Sequence, residues 1–404
     1  MTVRIEPGRA AGTVRVPPSK SIAHRMLICA GLAEGTSVIR NVGDCEDVRA
    51  TLDCLSLMGA DCRYDGENVT VRGGQLRTAP SAVLPCRESG STLRFLIPVA
   101  LTAAFPVRFR CSGRLPERPQ TVYEDICRRR GLTFCREGDT VLVRGALQSG
   151  EFRIAGNISS QFVTGLLLAL PMLAGDSRID LTPPVGSRPY IDLTREVLSR
   201  FGVRTEWAGD RTLRIPGGQS YRPADCEAEG DWSGGAFWAA LDRLGDNRVT
   251  VTNLNPDSGQ GDRVCAAYLD DLRQGPATLS LEDCPDLGPV LFAYAGAMHG
   301  GTFTGTERLR IKESDRIAVM REELAKCGIR LTDSGDRVTV EAPDGLHAPT
   351  KPFDGHNDHR VVMALSVLAT RTGGCITGAG AVHKSYPDFF ADLASLGIRT
   401  GTID

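Results

Sequence analysis

A chain of 404 residues with 41% hydrophobic and 24% charged side chains has the make-up of a globular protein, long enough for two cores of roughly 200 residues each. Its formal net charge of −2 excludes a general polyanion binder and leaves room only for a local basic pocket around a small anion. Thirteen scattered cysteines with no CxxC pair, no apolar leader core at Met1 to Glu6 and no apolar run long enough to span a bilayer point to reduced thiols in the cytoplasm, with no membrane or nucleic-acid partner.

Six times along the chain a short polar cluster opens an apolar run of helical length. The clusters lie at Lys20-Ser21, Ser89-Gly90-Ser91, Ser159-Ser160-Gln161, Asp231-Trp232-Ser233, Asp286-Leu287-Gly288 and Asp358-His359-Arg360. Marked at Ser21, Ser91, Ser160, Ser233, Leu287 and His359, they are spaced by 70, 69, 73, 54 and 72 residues. A second series, amphipathic stretches ending in glycine at 52–59, 123–131, 193–202, 268–275, 320–328 and 389–397, keeps the same register. Its glycine-to-glycine gaps are 72, 71, 73, 53 and 69, short at the same place. Two series in one register imply an internal repeat. Each glycine is expected as a left-handed cap, with short β-type runs between, as at 13–16, 69–71, 141–143, 249–251 and 338–340. One helix of each unit, such as 162–173 or 361–370, is apolar nearly all round and expected inside; the other is expected outside. The fourth unit begins near 226–231, and Pro17-Pro18 stiffens the chain before the first cluster.

Helix N-termini present unpaired N–H groups and favour anions. In the first cluster Lys20 and Ser21 stand at the helix opening with an ammonium and a hydroxyl, and Arg25 sets a guanidinium one turn beyond Ser21 on the same face. They are either phosphate ligands or a serine cap with solvated bases. Gly90 and Ser91 with Arg94 repeat the pattern, and Arg118 stands in a proline-stiffened loop, alone an ordinary surface arginine. Ser159, Ser160 and Gln161 offer uncharged donors for a polyol or a phosphate, or simple capping; a turn with an exposed Tyr190 accounts for Ser187. In the run 310–316, Lys312, Glu313 and Arg316 are either a salt-bridged surface helix or a carboxylate tuned for proton transfer. Asp286 is either an N-cap or a second acid–base group. Arg360 opens the sixth helix and Lys384 follows it. His356 and His359 lack a third ligand at metal-site spacing, so no metal is expected. P-loop, dinucleotide, HExxH and GxSxG signatures are absent. Many cations near helix openings plus two acids suit an enzyme of two small, highly anionic substrates.

Taken together, Ser19 through Arg25, Ser89 through Arg94, Glu117-Arg118-Pro119, Ser159 through Phe162, Arg310 through Arg316 and Asn357 through Arg360 resemble the 5-enolpyruvylshikimate-3-phosphate synthase family, in the family's order. The resemblance implies a two-domain inside-out α/β barrel of six βαβαββ-type repeats, three per domain. One lobe would be residues 18–227 and the other 1–17 with 228–404, closing on the substrates. It implies transfer of the enolpyruvyl group of phosphoenolpyruvate to the 5-hydroxyl of shikimate 3-phosphate with release of phosphate; a monomer without cofactor is expected. Lys20, Ser21, Arg25, Ser159, Ser160, Gln161, Ser187, Asp286 and Lys312 would hold shikimate 3-phosphate. Lys20, Gly90, Arg94, Arg118, Gln161, Arg316, Arg360 and Lys384 would hold phosphoenolpyruvate. Asp286, Glu313 and Lys20 would be catalytic. Three positions depart from the pattern: Glu88 replaces a common Asn near phosphoenolpyruvate, Arg308 an Asn at the shikimate ligand, and Arg188 a common Lys. The sister transferases acting on UDP-N-acetylglucosamine carry a catalytic Cys on a glycine-rich loop. The corresponding stretch 115–118 has none, and Cys111 lacks that setting.

Overall fold

The computed structural model describes residues 1–74, 82–103 and 105–403, so Ala104 of the apolar run 95–107 lies outside the described residues. These residues form twelve α-helices: α1 (Lys20–Leu32), α2 (Glu46–Leu57), α3 (Gly90–Ala100), α4 (Thr121–Arg129), α5 (Ser160–Ala169), α6 (Arg188–Arg200), α7 (Trp232–Arg243), α8 (Cys265–Gln274), α9 (Gly288–Ala297), α10 (Arg316–Ala325), α11 (His359–Thr372) and α12 (Phe389–Ser395). The odd-numbered helices start at the six clusters and are buried over most of their length; the even-numbered ones are the amphipathic set.

The chain divides into two compact units, Pro18–Glu229 and Met1–Pro17 with Gly230–Asp404. Each has its own core. In the first, α1, α3 and α5 pack together with Phe95, Phe109, Phe162 and Phe201 buried among them and their sheets. In the second, α7, α9 and α11 do the same around Trp238, Phe292, Phe303 and Phe389. Each such side chain removed from water contributes about 1.5–3 kcal/mol. Close approach has a sequence cause at Gly165 on α5, where a Cβ would lie 2.3 Å from both the Arg94 carbonyl and Tyr123 Oη. Tyr123 donates to that carbonyl at 2.6 Å, so α3, α4 and α5 lock at the point where α5 lacks a side chain.

Five four-stranded sheets share one order, a parallel pair extended by an antiparallel pair, and in four of them that antiparallel pair is a hairpin. The sixth sheet has only two strands, Ala11–Arg15 parallel to Arg248–Thr252. No hairpin follows α8 among the described residues, and this accounts for the short fourth interval: the unit lacks those two strands. Strand Ala11–Arg15 precedes α1 but pairs with Arg248–Thr252, whereas Cys226–Glu227 precedes α7 but pairs with Gly35–Arg40. Thr2–Ile5 fills the third position of the sheet holding Phe353–Asp354, Gly374–Thr377 and Thr400–Ile403.

Two local expectations change. The apolar run 162–173 is not one helix: α5 stops at Ala169 and a 3₁₀ turn, Leu170–Met172, follows, because Pro171 has no N–H and excludes the helical state before it. Five of the six capping glycines have positive φ, from 65° to 100°, but Gly275 at 165° is extended.

Candidate active site

In the unit Pro18–Glu229, side-chain bonds tie the first turns of the three buried helices together. Lys20, the first residue of α1, donates to Asp47 on α2 at 2.7 Å. Arg25, one turn further, is buried. Its Nε donates to Thr194 at 2.8 Å, one Nη reaches the Ser21 carbonyl, and the other donates to Thr164 and the Tyr190 carbonyl at 3.2 Å each. Four of its five N–H groups are committed to protein, so Arg25 holds α1 to α5 and α6 more than it faces outward. Burial, outweighing neighbours such as Tyr190, brings its guanidinium down to about 10.

Ser89 caps α3 by accepting from Thr92 N at 3.2 Å, and Gly90 follows. A Cβ on Gly90 would lie 2.9 Å from Arg118 Nη1, so the missing side chain admits the guanidinium against the helix opening. Arg118 is therefore not a surface arginine; it is 7% exposed. Arg94 donates to Gln161 at 2.7 Å and to the Pro119 carbonyl at 3.0 Å, and stacks 4.8 Å from the Phe162 centroid. Gln161 in turn donates to Ser91 at 3.0 Å. Ser159 caps α5, accepting from Gln161 N, and Ser160 opens the helix. Ser187 precedes α6 with φ +59°, buried, and Tyr190 beside it is half-buried instead of exposed, its carbonyl accepting from Arg25. Lys20, Arg94 and Arg118 thus stand around three helix N-termini whose dipoles also favour negative charge.

The second unit builds the opposite kind of cluster. Asp286 lies in a 3₁₀ turn, Pro285–Leu287, and does not cap α9. Its Oδ1 accepts from Lys312 at 3.1 Å and Arg316 at 2.8 Å, and its Oδ2 pairs with Arg360 at 3.1 Å. Burial pushes this carboxyl up, but Arg360, Lys312 and Arg316 together outweigh it and hold Asp286 well below the carboxylate range. The same burial lowers the Lys312 ammonium against the pull of Asp286. Glu313 is not on a helix: it sits in the turn before α10 and accepts from Arg316 Nη2 at 2.8 Å. Arg316, expected as a ligand of phosphoenolpyruvate, opens α10 at 1% exposure and donates to Asp286, Glu313 and Asp358. Asp358 caps α11 through Arg360 N at 3.0 Å and also accepts from Ser314 at 3.0 Å. Lys384, buried at the end of a 3₁₀ stretch, donates to the Asn357 carbonyl at 2.6 Å.

Several functional neighbours went unread in the sequence. Asp47, which orients Lys20, looks like any acid in the first turn of an amphipathic helix. Asp262, in the 3₁₀ turn Gly261–Val264 and 29 residues past Ser233, accepts from the Ser233 hydroxyl; burial first and Asp286 second raise its carboxyl to about 6. Asp231 caps α7, which gives the fourth cluster a structural role. Among the described residues Glu322, Glu323 and His356 bring one possible metal-ligating atom each within 4.8 Å of one another, a trio that spacing alone did not show. The Glu323 oxygens are already bonded to Lys326, His356 and the Asp354 N–H. At the departures, Glu88 packs on Gly113, Arg308 donates to the Glu282 carbonyl, and Arg188 stacks 4.4 Å from the Trp207 centroid. No helix among the described residues is long and apolar enough to cross a membrane.

Helix openings lined with cations can bind phosphate groups, and caged carboxylates can take part in proton transfer. Residues 5–393 match the family model described as EPSP synthase (3-phosphoshikimate 1-carboxyvinyltransferase). A 3-phosphoshikimate 1-carboxyvinyltransferase of Clostridium kluyveri is 38% identical, with 100% of this chain and 98% of that protein covered; one of Clostridium perfringens is 36% identical, at 98% of each. The EPSP synthase structure from Acinetobacter baumannii shares the fold with a TM-score of 0.78 at 24% identity, covering 99% of this chain and all of that one. The enolpyruvyl transferase NikO from Streptomyces tendae does so with 0.77 at 21%, covering 100% and 99%. With the match running nearly end to end, the chain belongs to the EPSP synthase (3-phosphoshikimate 1-carboxyvinyltransferase) family.

Proposed function

We propose that the chain transfers the enolpyruvyl group of phosphoenolpyruvate to the 5-hydroxyl of shikimate 3-phosphate and releases phosphate, the EC 2.5.1.19 reaction of chorismate and aromatic amino-acid biosynthesis. Family membership over the whole length supports the activity. The observation that carries the residue roles is Arg316 bridging Asp286 and Glu313: one buried cation fixes two carboxylates beside Lys312 and Arg360.

Reaction by addition and elimination needs a proton for the enol carbon and a base for the hydroxyl. Protonation of the methylene makes C2 electrophilic; the 5-hydroxyl oxygen attacks it, and its proton goes to Asp286. That gives a tetrahedral ketal. Loss of a methyl proton and of phosphate then restores the double bond as an enol ether. Asp286 is held ionised, which is the form a base needs. Substrate phosphate and carboxylate groups compete for Lys312 and Arg360, and as those cations turn to substrate Asp286 becomes more basic. Glu313 serves the carbon, with Lys20 neutralising the negative charge that develops on the departing phosphate. Lys20, Ser21, Ser159, Ser160, Gln161 and Ser187 with Lys312 serve shikimate 3-phosphate. Gly90, Arg94, Arg118, Arg360 and Lys384 serve phosphoenolpyruvate, while Arg25 and Arg316 act mainly by holding their neighbours in place.

The units Pro18–Glu229 and Met1–Pro17 with Gly230–Asp404 are the two lobes of this reading. We take the protein as a cytoplasmic monomer that needs no cofactor; thirteen free cysteines suit a reducing compartment. Burial pushes the Cys111 thiol up to about 12, too high for the nucleophile of the sister transferases.

Phosphate release from phosphoenolpyruvate, measured with shikimate 3-phosphate and separately with UDP-N-acetylglucosamine, tests the reading. Release with the first acceptor alone is expected; release with neither overturns it. Glu313→Gln is expected to keep substrate binding and lose turnover steeply, and near-normal turnover removes Glu313 from proton transfer.

A further inference from the structure

Seven residues beyond Arg316, on the same helix α10, Glu323 is a carboxylate with no exposed surface. Its oxygens accept from Lys326 at 2.9 and 2.7 Å and from Asp354 N at 2.8 Å, and face His356 Nε2 at 2.9 Å. Lys326 also donates to the Pro352 carbonyl at 3.0 Å. Apart from Lys326, the C-cap of α10, all these partners lie on the segment leading into Asp358 and Arg360.

That segment is strained. His356 and Asn357 have φ of +47° and +52°, two successive non-glycine residues in the left-handed region. Such a pair persists only where its surroundings over-determine it. Here His356 N donates to Asp354 at 2.7 Å, Lys384 donates to the Asn357 carbonyl at 2.6 Å, and a Cβ on Gly355 would lie 2.4 Å from Val362. The next residue is Asp358, held by Ser314 and Arg316. Helix α10 therefore grips one turn at two points, through its first residue at Asp358 and through Glu323 and Lys326 at residues 352–356.

We propose that Glu323 and His356 are positioning residues for the anion-binding Arg360 and Lys384, their ion pair fixing the strained turn from which both take their geometry. The effect on catalysis rests on the function proposed above; the effect on the turn does not. Titratable groups facing His356 are Glu322 and Glu323 on α10, Lys326 at its C-cap and Asp354 on its strand. Glu323 first, against burial, raises the imidazole above its ordinary value. The protonated ring therefore favours the set turn; that favour is complete at low pH and lost as pH rises through the raised value. The three-atom cluster of Glu322, Glu323 and His356 is thus read as an ion-pair network.

Two arms test this. In hydrogen exchange of the full chain without substrates, Glu323→Gln and His356→Gln are expected to speed amide exchange at residues 355–362 by about 10-fold while the α5 amides stay unchanged, the loss of one charge-assisted bond. Unchanged exchange at 355–362 overturns the clamp. In steady-state kinetics, the wild-type KM for phosphoenolpyruvate is expected to rise as pH climbs through the raised His356 value, above about 6.5. In His356→Gln it starts high and stays flat, and Glu323→Gln raises it about 10-fold with kcat within about threefold. A KM profile in His356→Gln that matches wild type overturns the link to substrate. Wild type that releases no phosphate with either acceptor overturns the function and leaves the exchange arm to decide the clamp.

Discussion

Arg316 donates from Nε to Asp358 at 2.9 Å with the two side chains 1% and 0% exposed. Burying such a pair costs desolvation, and the geometry offsets it only while both members remain. Asp358 is also the α11 cap, so one side chain fixes a helix terminus and aims the guanidinium that reaches Asp286 and Glu313.

Removing that carboxylate should be costly. Asp358→Ala leaves Arg316 with one buried acceptor fewer and uncaps α11, an expected loss of about 3–5 kcal/mol by urea denaturation at pH 7. Burial pushes the Asp358 carboxyl up, but Arg316 outweighs it and holds it below its ordinary value. Its stabilisation is therefore present above the unfolded value of about 3.9 and lost as pH falls below it. Wild type should lose stability in that acid range more steeply than the variant; parallel curves would remove Asp358 from the acid response.

A different outcome is expected at Gly90. Alanine there sets a Cβ 2.9 Å from Arg118 Nη1 and 3.2 Å from Cζ, and the mobile end of the arginine moves aside cheaply. Stability should hold or rise, since alanine is favoured over glycine in a helix by up to about 1 kcal/mol. The displaced guanidinium should raise KM for phosphoenolpyruvate about 10-fold with a smaller change in kcat. An unchanged KM with an unchanged melting temperature would show that Arg118 does not depend on the space at Gly90.

The helix openings were legible because each carries small polar residues immediately before an apolar run, as at Ser159-Ser160-Gln161. Even the short fourth interval held information, since a missing hairpin removes residues without disturbing the flanking helices. Burial of the cations was not legible. Arg25, Arg118 and Arg316 look like exposed bases until Thr164, Gly90 and Asp358 come beside them from 139, 28 and 42 positions away. Glu323 was not legible for a similar reason: its helix is amphipathic, and only the partner segment at 352–356 turns its polar side inward.

Asp262 should act against stability at neutral pH. With its carboxyl raised to about 6 by burial and then Asp286, the folded state holds a proton that the unfolded chain releases near 3.9. Its contribution is complete below that unfolded value and is lost as pH rises through about 6. Asp262→Asn removes the titration and keeps an acceptor for the Ser233 hydroxyl. Relative to wild type it should gain up to about 3 kcal/mol between pH 4 and 7.5, read as a pH-dependent difference in unfolding free energy. A constant difference across that range would mean that Asp262 titrates normally.

The last relationship concerns a buried chain of hydroxyls in the first unit. Thr92 Oγ1 donates to Ser89 Oγ at 2.8 Å, so it must accept from Thr51 at 2.7 Å, and Thr51 in turn accepts from His24 Nδ1 at 2.7 Å. The order of donors assigns His24 the Nδ1–H tautomer, with Nε2 buried and without a hydrogen-bond partner. Burial first, then Lys20 and Arg25, hold its pKa well below 6.5, so the ring stays neutral. Nitrogen NMR of His24 is expected to show a protonated Nδ1 and a bare Nε2, with no titration near the ordinary imidazole value of about 6.5. Thr92→Val strands the Thr51 proton among α1, α2 and α3 and should cost about 1–3 kcal/mol, the penalty of an unsatisfied buried donor. Lys20 lies one turn before His24, and its partner Asp47 one turn before Thr51. The variant should therefore also lower kcat, whereas a Thr→Val change on an exposed strand position such as Thr278 should alter neither quantity. A protonated Nε2, or a Thr92→Val enzyme with wild-type stability and kcat, would break the chain at its middle link.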